Sequence, residues 1–381
     1  MSQIERPTVH TALASFEAAR RLPHGPGGQP RLHGHGFLAR IHATLPDSYG
    51  GFAGAQVHAL TQALQAACQQ LDYRELNEVL AEPSDARLAQ WIGEQVSAPA
   101  TVGTSVQSTR DQGVVVVAHG AGSFDGPSLE RVRPLGAGAQ RLGGTVTAWR
   151  RYRFQAAHRL PNVPFGHKCG RMHGHGFQVV LHAQNTSYDD IDTAWAPLHI
   201  ELNYGCLNDK RGLENPTSEM LSSWLWARLI ATLPGLTGVS VYETGSCGAH
   251  YDGAAHRIWK DFTVDSAALL CNAPPDHPLA RLHGYTYTLR MHLGALLDAR
   301  MGWTLDFGDV KALFNPIFKG LDHHPLHELG AVPQPDSASL ARWIFEQARA
   351  RLPQTSGVDL FETRGTGAMV HLGGEGLCLP L

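Results

Sequence analysis

The pattern of apolar and polar positions predicts alternating strands and helices. Residues 171–183, RMHGHGFQVVLHA, alternate and are rich in β-branched and aromatic residues, which is typical of a strand. Two further strands are predicted at 239–244 (VSVYET) and 358–363 (VDLFET). Between the strands at 171–183 and 239–244, after a start signal at Thr217 or Ser218, a helix is indicated by apolar residues at helical spacing: Leu221, Trp224, Leu225 and Leu229. The pattern favours an α+β fold of antiparallel strands covered on one side by helices.

Three sequence markers occur three times in the same order. The first is FEAARRLPHGPGGQPRLHGHGF at 16–37, FQAAHRLPNVPFGHKCGRMHGHGF at 154–177, and a shorter version, RLHGYTY, at 281–287. The second is LDYRELN, LNYGCLN and LDHHPLH, beginning at residues 71, 202 and 321. The third is a proline followed by a leucine five and a tryptophan eight residues later, beginning at Pro83, Pro216 and Pro335. We therefore predict an internal triplication.

The markers set the limits of the repeats. We predict a first repeat at 8–118, a second at 147–256 and a third at 257–375. The intervening residues, 119–146, are rich in glycine and without periodicity, which is typical of a linker.

Composition and charge exclude several classes of protein. The 381 residues are 43% hydrophobic with a net charge of −3, and no long basic run favours a nucleic-acid partner. No apolar stretch approaches the roughly 18 residues of a membrane helix. The N-terminal residues lack the apolar segment of a secretory signal, and the six cysteines show no paired spacing. We expect a cytoplasmic protein with reduced thiols.

Histidines in the second repeat predict one metal site. His173 and His175 are two residues apart on a predicted strand and so project from the same face, and His158 on the preceding strand can add a third nitrogen. Three imidazoles suit Zn²⁺ and leave a fourth position open, although other transition metals accept the same donors. The first repeat has Arg20 at the place of His158, and the third has Ser266 and Tyr285 at two of the three places. We therefore predict one complete zinc site per chain.

The motifs HRLPNVPFGHKCGRMHGHGF (158–177), LENPTSE (213–219) and VYET (241–244) resemble those of the 6-pyruvoyltetrahydropterin synthase superfamily, in particular its 6-carboxytetrahydropterin synthase branch of the queuosine pathway. The resemblance implies the tunnelling fold, or T-fold, in which each unit is a four-stranded antiparallel sheet with two helices. Three units close into a barrel, here a pseudo-trimer within one chain, and two barrels stack. We therefore expect a homodimer of pseudo-trimers.

The resemblance also implies roles for individual residues. His158, His173 and His175 would be zinc ligands, Cys169 a catalytic thiol and Glu243 the anchor of the pterin ring, with Glu362 as a second candidate anchor. The family's catalytic Asp-His pair is replaced by Asn203 and Tyr204 in the second repeat, whereas the third repeat has Asp322 and His323. We expect the third repeat to supply this pair to the second, and the first repeat only to complete the barrel.

The implied reaction converts 7,8-dihydroneopterin triphosphate to 6-carboxy-5,6,7,8-tetrahydropterin with loss of acetaldehyde and triphosphate, a carbon–carbon and carbon–oxygen lyase reaction that depends on zinc. Two alternatives stay open. One is a 6-pyruvoyltetrahydropterin synthase, which would retain the side-chain carbons. The other is a non-catalytic pterin-binding or scaffold protein, against which the retention of Cys169 beside a complete histidine set argues.

Overall fold

The computed structural model describes residues 8–23, 30–118, 144–330, 332 and 334–372. Most of the predicted linker, residues 119–143, therefore lies outside the described residues, and its last three residues belong to a strand instead.

The three repeats use the same order of longer strands and helices, and the first two also contain a two-residue strand between their helices. The first contains β1 (Thr8–Leu22), β2 (Arg31–Ala43), α1 (Gln56–Gln69), β3 (Arg74–Glu75), α2 (Asp85–Gln95), β4 (Thr101–Thr109) and β5 (Gln112–Ala118). The second contains β6 (Gly144–His158), β7 (His173–Gln184), α3 (Tyr188–Leu202), β8 (Gly205–Cys206), α4 (Ser218–Leu229), β9 (Leu236–Thr244) and β10 (Cys247–Tyr251). The third contains β11 (His256–Ala268), β12 (His283–Leu293), α5 (Phe307–Leu321), α6 (Ser337–Arg351), β13 (Thr355–Thr363) and β14 (Thr366–His371). The two-residue strands β3 and β8 were not predicted.

The twelve longer strands form a closed antiparallel barrel. Within it, β5 pairs with β6 and β10 pairs with β11, which joins each repeat to the next. The ring closes where β14 pairs with β1, with Thr8 opposite Val370 and Thr11 opposite Gly367. Closure leaves no unpaired edge among these strands, which removes the surface through which open sheets aggregate.

The two faces of the barrel have different surroundings. Because side chains alternate along a strand, Phe177, Val179 and Leu181 of β7 pack outward with the helices, whereas Val180 and His182 point into the barrel. The interior contains an aromatic cluster, in which the Tyr242 and Trp259 rings lie 4.8 Å apart. The principal core therefore lies between the barrel and its surrounding helices.

Side-chain caps position the helices that border the site. Thr217 is the N-cap of α4, and its hydroxyl accepts a hydrogen bond from the Met220 N–H at 3.1 Å. Asp306 is the N-cap of α5 and accepts hydrogen bonds from the Gly308 and Asp309 N–H groups. The five described cysteines are free thiols. Among the described residues, none of the helices has the length and apolar character needed to cross a membrane.

Candidate metal and substrate site

The three predicted metal ligands converge where β6 and β7 form a hairpin. His158 lies directly opposite His173 in the strand register, and His175 lies opposite Ala156. His158 is 2% exposed, and its Nε2 atom is 3.1 Å from Nε2 of His175. The three side chains each offer one donor atom, and these atoms all lie within 4.8 Å of one another.

Backbone carbonyl groups orient the three imidazole rings. The Nδ1 atoms of His158, His173 and His175 lie 3.3, 2.7 and 3.3 Å from the carbonyl oxygens of Pro216, Arg171 and Gly176. Hydrogen bonds from the second ring nitrogen fix the tautomer of a metal-binding histidine, so Nε2 of each ring is left free to coordinate. The donor set therefore fits a zinc ion.

The pKa of His158 favours the neutral, ligating form. Burial lowers this pKa to about 4, with further lowering from the neighbouring charges of His173 and His175. A neutral imidazole keeps the lone pair that a metal ion needs, so burial holds His158 in the form that can bind a metal ion.

Cys169 lies in a short 3₁₀ turn, Lys168–Gly170, within the loop that joins β6 to β7. The Cys169 N–H donates to Nδ1 of His167 at 3.3 Å, and the thiol is half-buried. Burial raises the pKa of this thiol, the charge of Glu243 raises it further, and Lys168 opposes them. Proton transfer by a thiol requires a lowered pKa, and these neighbours do not lower the pKa of Cys169.

Glu243, at the end of β9, lies near Cys169 and the three histidines. The space that these residues border is called the cleft. Glu243 Oε2 accepts a hydrogen bond from the Ser218 hydroxyl at 3.1 Å. Because Glu243 raises the pKa of Cys169, the carboxylate and the thiol are close enough to interact electrostatically. Glu362 occupies the same position in the third repeat, where it bonds to Ser337 and Tyr285.

The cleft is closed on one side by the third repeat. A segment before α5, residues 298–306, supplies backbone carbonyls to second-repeat side chains: Asn162 to Arg300 O, Asn215 to Met301 O and Thr217 to Gly302 O, at 2.6, 2.6 and 2.5 Å. Asp306 Oδ2 also lies 3.5 Å from His167 Nε2. The candidate site is therefore an interface between repeats.

Glu219 links the two repeats and was not recognised in the sequence. It is 3% exposed, and its Oε1 accepts hydrogen bonds from the backbone N–H and the hydroxyl of Thr304, at 2.9 and 2.8 Å. Burial raises the pKa of Glu219 to about 7 despite these bonds. Its position in the PTSE motif indicated only a helix start, because the partner is 85 residues away.

Asp322 and His323 lie at the opposite end of α5 from Asp306. The Asp322 carboxylate lies 2.9 Å from His323 Nδ1 and accepts from the Asp265 N–H at 3.0 Å. Asp322 is the C-cap of α5, whereas Asp306, beside the Cys169 loop, is the N-cap. The 15-residue helix between them is about 22 Å long. The expectation that the third repeat supplies this pair to the second repeat of the same chain stays a prediction, and the separation of Asp306 from Asp322 along α5 argues against it.

The first repeat fills the same place with a buried ion pair. Arg20 donates to the Asp85 carboxylate at 2.6 Å and to the Pro83 carbonyl at 2.9 Å. Both residues are under 5% exposed, and Asp85 also accepts from Ser108 and from Tyr188 of the second repeat. Ser108 stands where the second repeat has Glu243, and Asp85 where it has Ser218. The carboxylate and the hydroxyl therefore occupy exchanged positions in the first repeat relative to the second.

Comparisons with known proteins agree with this geometry. The 6-pyruvoyl tetrahydropterin synthase family matches residues 10–115, 147–254 and 253–372, so the chain belongs to that family and contains it three times in tandem. One relative, the 6-carboxy-5,6,7,8-tetrahydropterin synthase of Synechocystis sp., is 35% identical over 118 residues, which is 27% of this chain and 90% of the relative.

Two other similar proteins extend the comparison. The dihydroneopterin monophosphate aldolase of Pyrococcus furiosus is 31% identical over 72 residues, 19% of this chain and 60% of the relative. Among solved structures, the 6-pyruvoyl tetrahydropterin synthase of Caenorhabditis elegans is 16% identical and covers 30% of this chain and 95% of that one, with a TM-score of 0.28. The chain is thus a member of a pterin-processing enzyme family.

Proposed function

We propose that the protein is a zinc-dependent lyase that converts 7,8-dihydroneopterin triphosphate to 6-carboxy-5,6,7,8-tetrahydropterin, releasing acetaldehyde and triphosphate. The observation that supports this most directly is the convergence of three carbonyl-oriented imidazoles in the second repeat, in the same cleft as a thiol and a carboxylate. The relative from Synechocystis with the corresponding name agrees with this choice.

In this proposal His158, His173 and His175 hold the zinc ion. Bound zinc would supply Lewis-acid polarisation of substrate oxygens. The chain's own contribution is to hold three neutral nitrogens in place: burial keeps His158 unprotonated, and backbone carbonyls fix each ring. Because only three protein donors are present, one coordination position stays open for substrate.

Glu243 would bind the pterin ring and Cys169 would transfer protons. A carboxylate accepts two parallel hydrogen bonds from adjacent ring N–H and amino donors, as a pterin presents. Hydrogen bonds from the ring would disperse the negative charge of Glu243 and so weaken one cause of the raised Cys169 pKa. Substrate binding would therefore increase the fraction of Cys169 that is thiolate, the form that accepts a proton.

We further propose that Asp322 and His323 act on Cys169 of a second chain. His323 is 76% exposed and its backbone N–H bonds to Asp265 O, near the end of β11 that adjoins its hairpin loop. The Cys169 loop is at the corresponding end of β6, so both groups face the same end of the barrel. Two chains stacked through these ends would complete the site.

The same end presents exposed apolar side chains at equivalent positions of the repeats. Leu32, Met172 and Leu282 each precede a histidine at or near the start of a strand and are 50%, 55% and 65% exposed. Tyr73 and Tyr204, at the places equivalent to His323, are 82% and 86% exposed. Their regular arrangement around the barrel end suits a second copy of this chain, which would be a homodimer of pseudo-trimers.

A product assay tests the reaction. Zinc-loaded protein is incubated with 7,8-dihydroneopterin triphosphate, and with the monophosphate in parallel, while acetaldehyde and phosphate products are measured. We expect turnover of the triphosphate, and its loss in Cys169→Ala and His158→Ala. The thiol variant Cys206→Ala, outside the cleft, is the matched control and should stay active. A pyruvoyl product, or turnover of the monophosphate alone, would identify a different activity of the family; binding without turnover would favour a scaffold.

Mixing two inactive variants tests the shared site. Cys169→Ala and His323→Ala each remove one half of it, so neither should be active alone. After unfolding together and refolding, half of the dimers contain one chain of each kind, and each such dimer has one intact site. We expect about a quarter of wild-type activity to return. If the mixture stays inactive, or if His323→Ala is active by itself, the pair does not act between chains.

A further inference from the structure

A second histidine cluster lies inside the barrel, away from the site described above. It consists of His292 on β12, Asp359 on β13 and His371 on β14. Asp359 Oδ2 is 2.9 Å from His292 Nε2, and Asp359 Oδ1 is 2.6 Å from His371 Nε2. These residues are 0%, 2% and 5% exposed. One donor atom from each lies within 4.8 Å of the other two.

The strand register explains why these side chains meet. Their neighbours Met291, Val358 and Val370 pack outward against the helices, so the cluster residues point into the barrel. His292 and His371 lie on either side of Gly357, which is paired with both. A Cβ atom at Gly357 would come within 2.1 Å of His371 Nδ1. The glycine therefore provides the space in which the two imidazoles approach the carboxylate.

The second repeat contains a neutral counterpart of this cluster. His182, Ser240 and His250 also lie inside the barrel around a glycine, Gly238. The Ser240 hydroxyl bridges the two rings, at 3.1 Å from His182 Nε2 and 2.9 Å from His250 Nδ1. In this counterpart a hydroxyl replaces the carboxylate, so the third repeat differs by one anionic donor at the centre of the cluster.

We propose that His292, Asp359 and His371 bind a divalent transition-metal ion, in a second metal site within the barrel. Two imidazoles and one carboxylate are a donor set that zinc and iron(II) accept in proteins. Zinc binds such donors at about 2.0–2.2 Å. The hydrogen bonds that now join the donors would be replaced by three bonds to the ion after a small outward movement of the rings.

The ionisation state of Asp359 is compatible with an ionic ligand. Burial alone would raise the pKa of Asp359, but the charges and hydrogen bonds of His292 and His371 outweigh it and hold this pKa well below its ordinary value, so the carboxylate is ionised.

The proposed ion would hold the last strand of the barrel. Its ligands lie on β12, β13 and β14, and β14 closes the barrel by pairing with β1. His292 is nine residues along β12 from His283, at the hairpin end, which corresponds to about 30 Å of strand. The proposed site therefore lies at the other end of the barrel from the hairpin loops, and its role is to stabilise closure.

Metal stoichiometry tests the proposal without an activity measurement. Metal-free protein is saturated with zinc, freed of unbound ion and analysed for zinc per chain. We expect two equivalents in the wild type, one in the variant His158→Ala/His175→Ala, and one in Asp359→Ser, which copies the neutral cluster of the second repeat. If the wild type binds one equivalent, and His158→Ala/His175→Ala binds none, the cluster is a hydrogen-bonded triad and the proposal is wrong.

A second measurement remains decisive if Asp359→Ser does not fold. In the His158→Ala/His175→Ala protein, added zinc should raise the midpoint of thermal unfolding and slow hydrogen exchange in β14 and in the first residues of β1. Cobalt(II) should give visible absorption from the same protein. An unchanged midpoint together with an absent cobalt spectrum would overturn the proposal. Neither result depends on whether the hairpin site catalyses a pterin reaction.

Discussion

Single residues decide whether a repeat has a candidate metal site or a buried ion pair. At the place of His158, the second repeat has an imidazole that reaches the Pro216 carbonyl. The first repeat has Arg20, which keeps the equivalent bond to the Pro83 carbonyl and adds the ion pair with Asp85. A guanidinium is a permanent cation and repels a metal ion, so this one difference removes the candidate metal site while keeping the backbone contact.

Glu219 should make stability depend on pH. Its pKa in the folded protein is raised from 4.5 to about 7, so the folded state binds more protons than the unfolded state between these values. Stability is therefore fully present below pH 4.5 and is lost as pH rises toward 7. The expected loss is about 3 kcal/mol. Glu219→Gln keeps an oxygen for the Thr304 bonds and should lack this loss.

The measurement is denaturant unfolding of wild type and Glu219→Gln at pH 5.5 and pH 8.5. The free energy of unfolding of the wild type, relative to that of Glu219→Gln, should be lower at pH 8.5 than at pH 5.5. Parallel pH dependence would show that Glu219 titrates near its ordinary value.

At this scale the sequence predicted which histidines of the second repeat converge, but not the buried partners that residues such as Arg20 and Glu219 have. The spacing of His173 and His175 places both side chains on one strand face whatever the tertiary context. The Arg20–Asp85 pair and the Glu219–Thr304 bonds join residues 65 and 85 positions apart. Nothing in the local sequence indicates such partners, because they depend on how helices and strands of different repeats approach each other.

At the scale of elements, the hydrogen bonds that Asp306 accepts as the N-cap of α5 should stabilise the fold more than its ion contact with His167 does. Asp306 accepts hydrogen bonds from two backbone N–H groups and also lies near His167. Asp306→Ala removes the cap and should lower the free energy of unfolding by about 1 kcal/mol. Asp306→Asn keeps the cap and loses only the partly exposed ion contact, which is worth less than about 0.5 kcal/mol. Equal losses in urea unfolding would mean that the contact with His167 dominates.

Elements were predictable where periodicity was strong. The alternation of RMHGHGFQVVLHA corresponds to β7, and the apolar spacing after Thr217 corresponds to α4. The strands β3 and β8 have two residues each, which is too short for any period to register. The length and direction of α5 separate Asp306 from Asp322. No residue pattern in either repeat indicates which of these two aspartates lies beside the Cys169 loop.

At the scale of the whole molecule, removal of β14 should open the barrel. Ending the chain at Gly365 would leave β1 and β13 with unpaired edges, and exposed edges promote association. We expect aggregation on size-exclusion chromatography. Thr366→Val is the matched control, because it removes only the bond from the Leu13 N–H to the Thr366 hydroxyl, worth about 1 kcal/mol, and should elute as the wild type does. A well-behaved truncated protein would show that closure by β14 is dispensable.

The buried Arg20–Asp85 pair also constrains the evolution of this chain. In a ring of identical subunits one gene encodes every pocket, so a mutation that packed one pocket shut would inactivate all of them. Tandem fusion lets each copy diverge separately, with one under selection for turnover and another for cohesion. Reversion is hindered, because replacing Arg20 alone strands a buried carboxylate at a cost of about 3–5 kcal/mol. The loss of that pocket is therefore hard to reverse, because reversion must pass through a less stable intermediate protein.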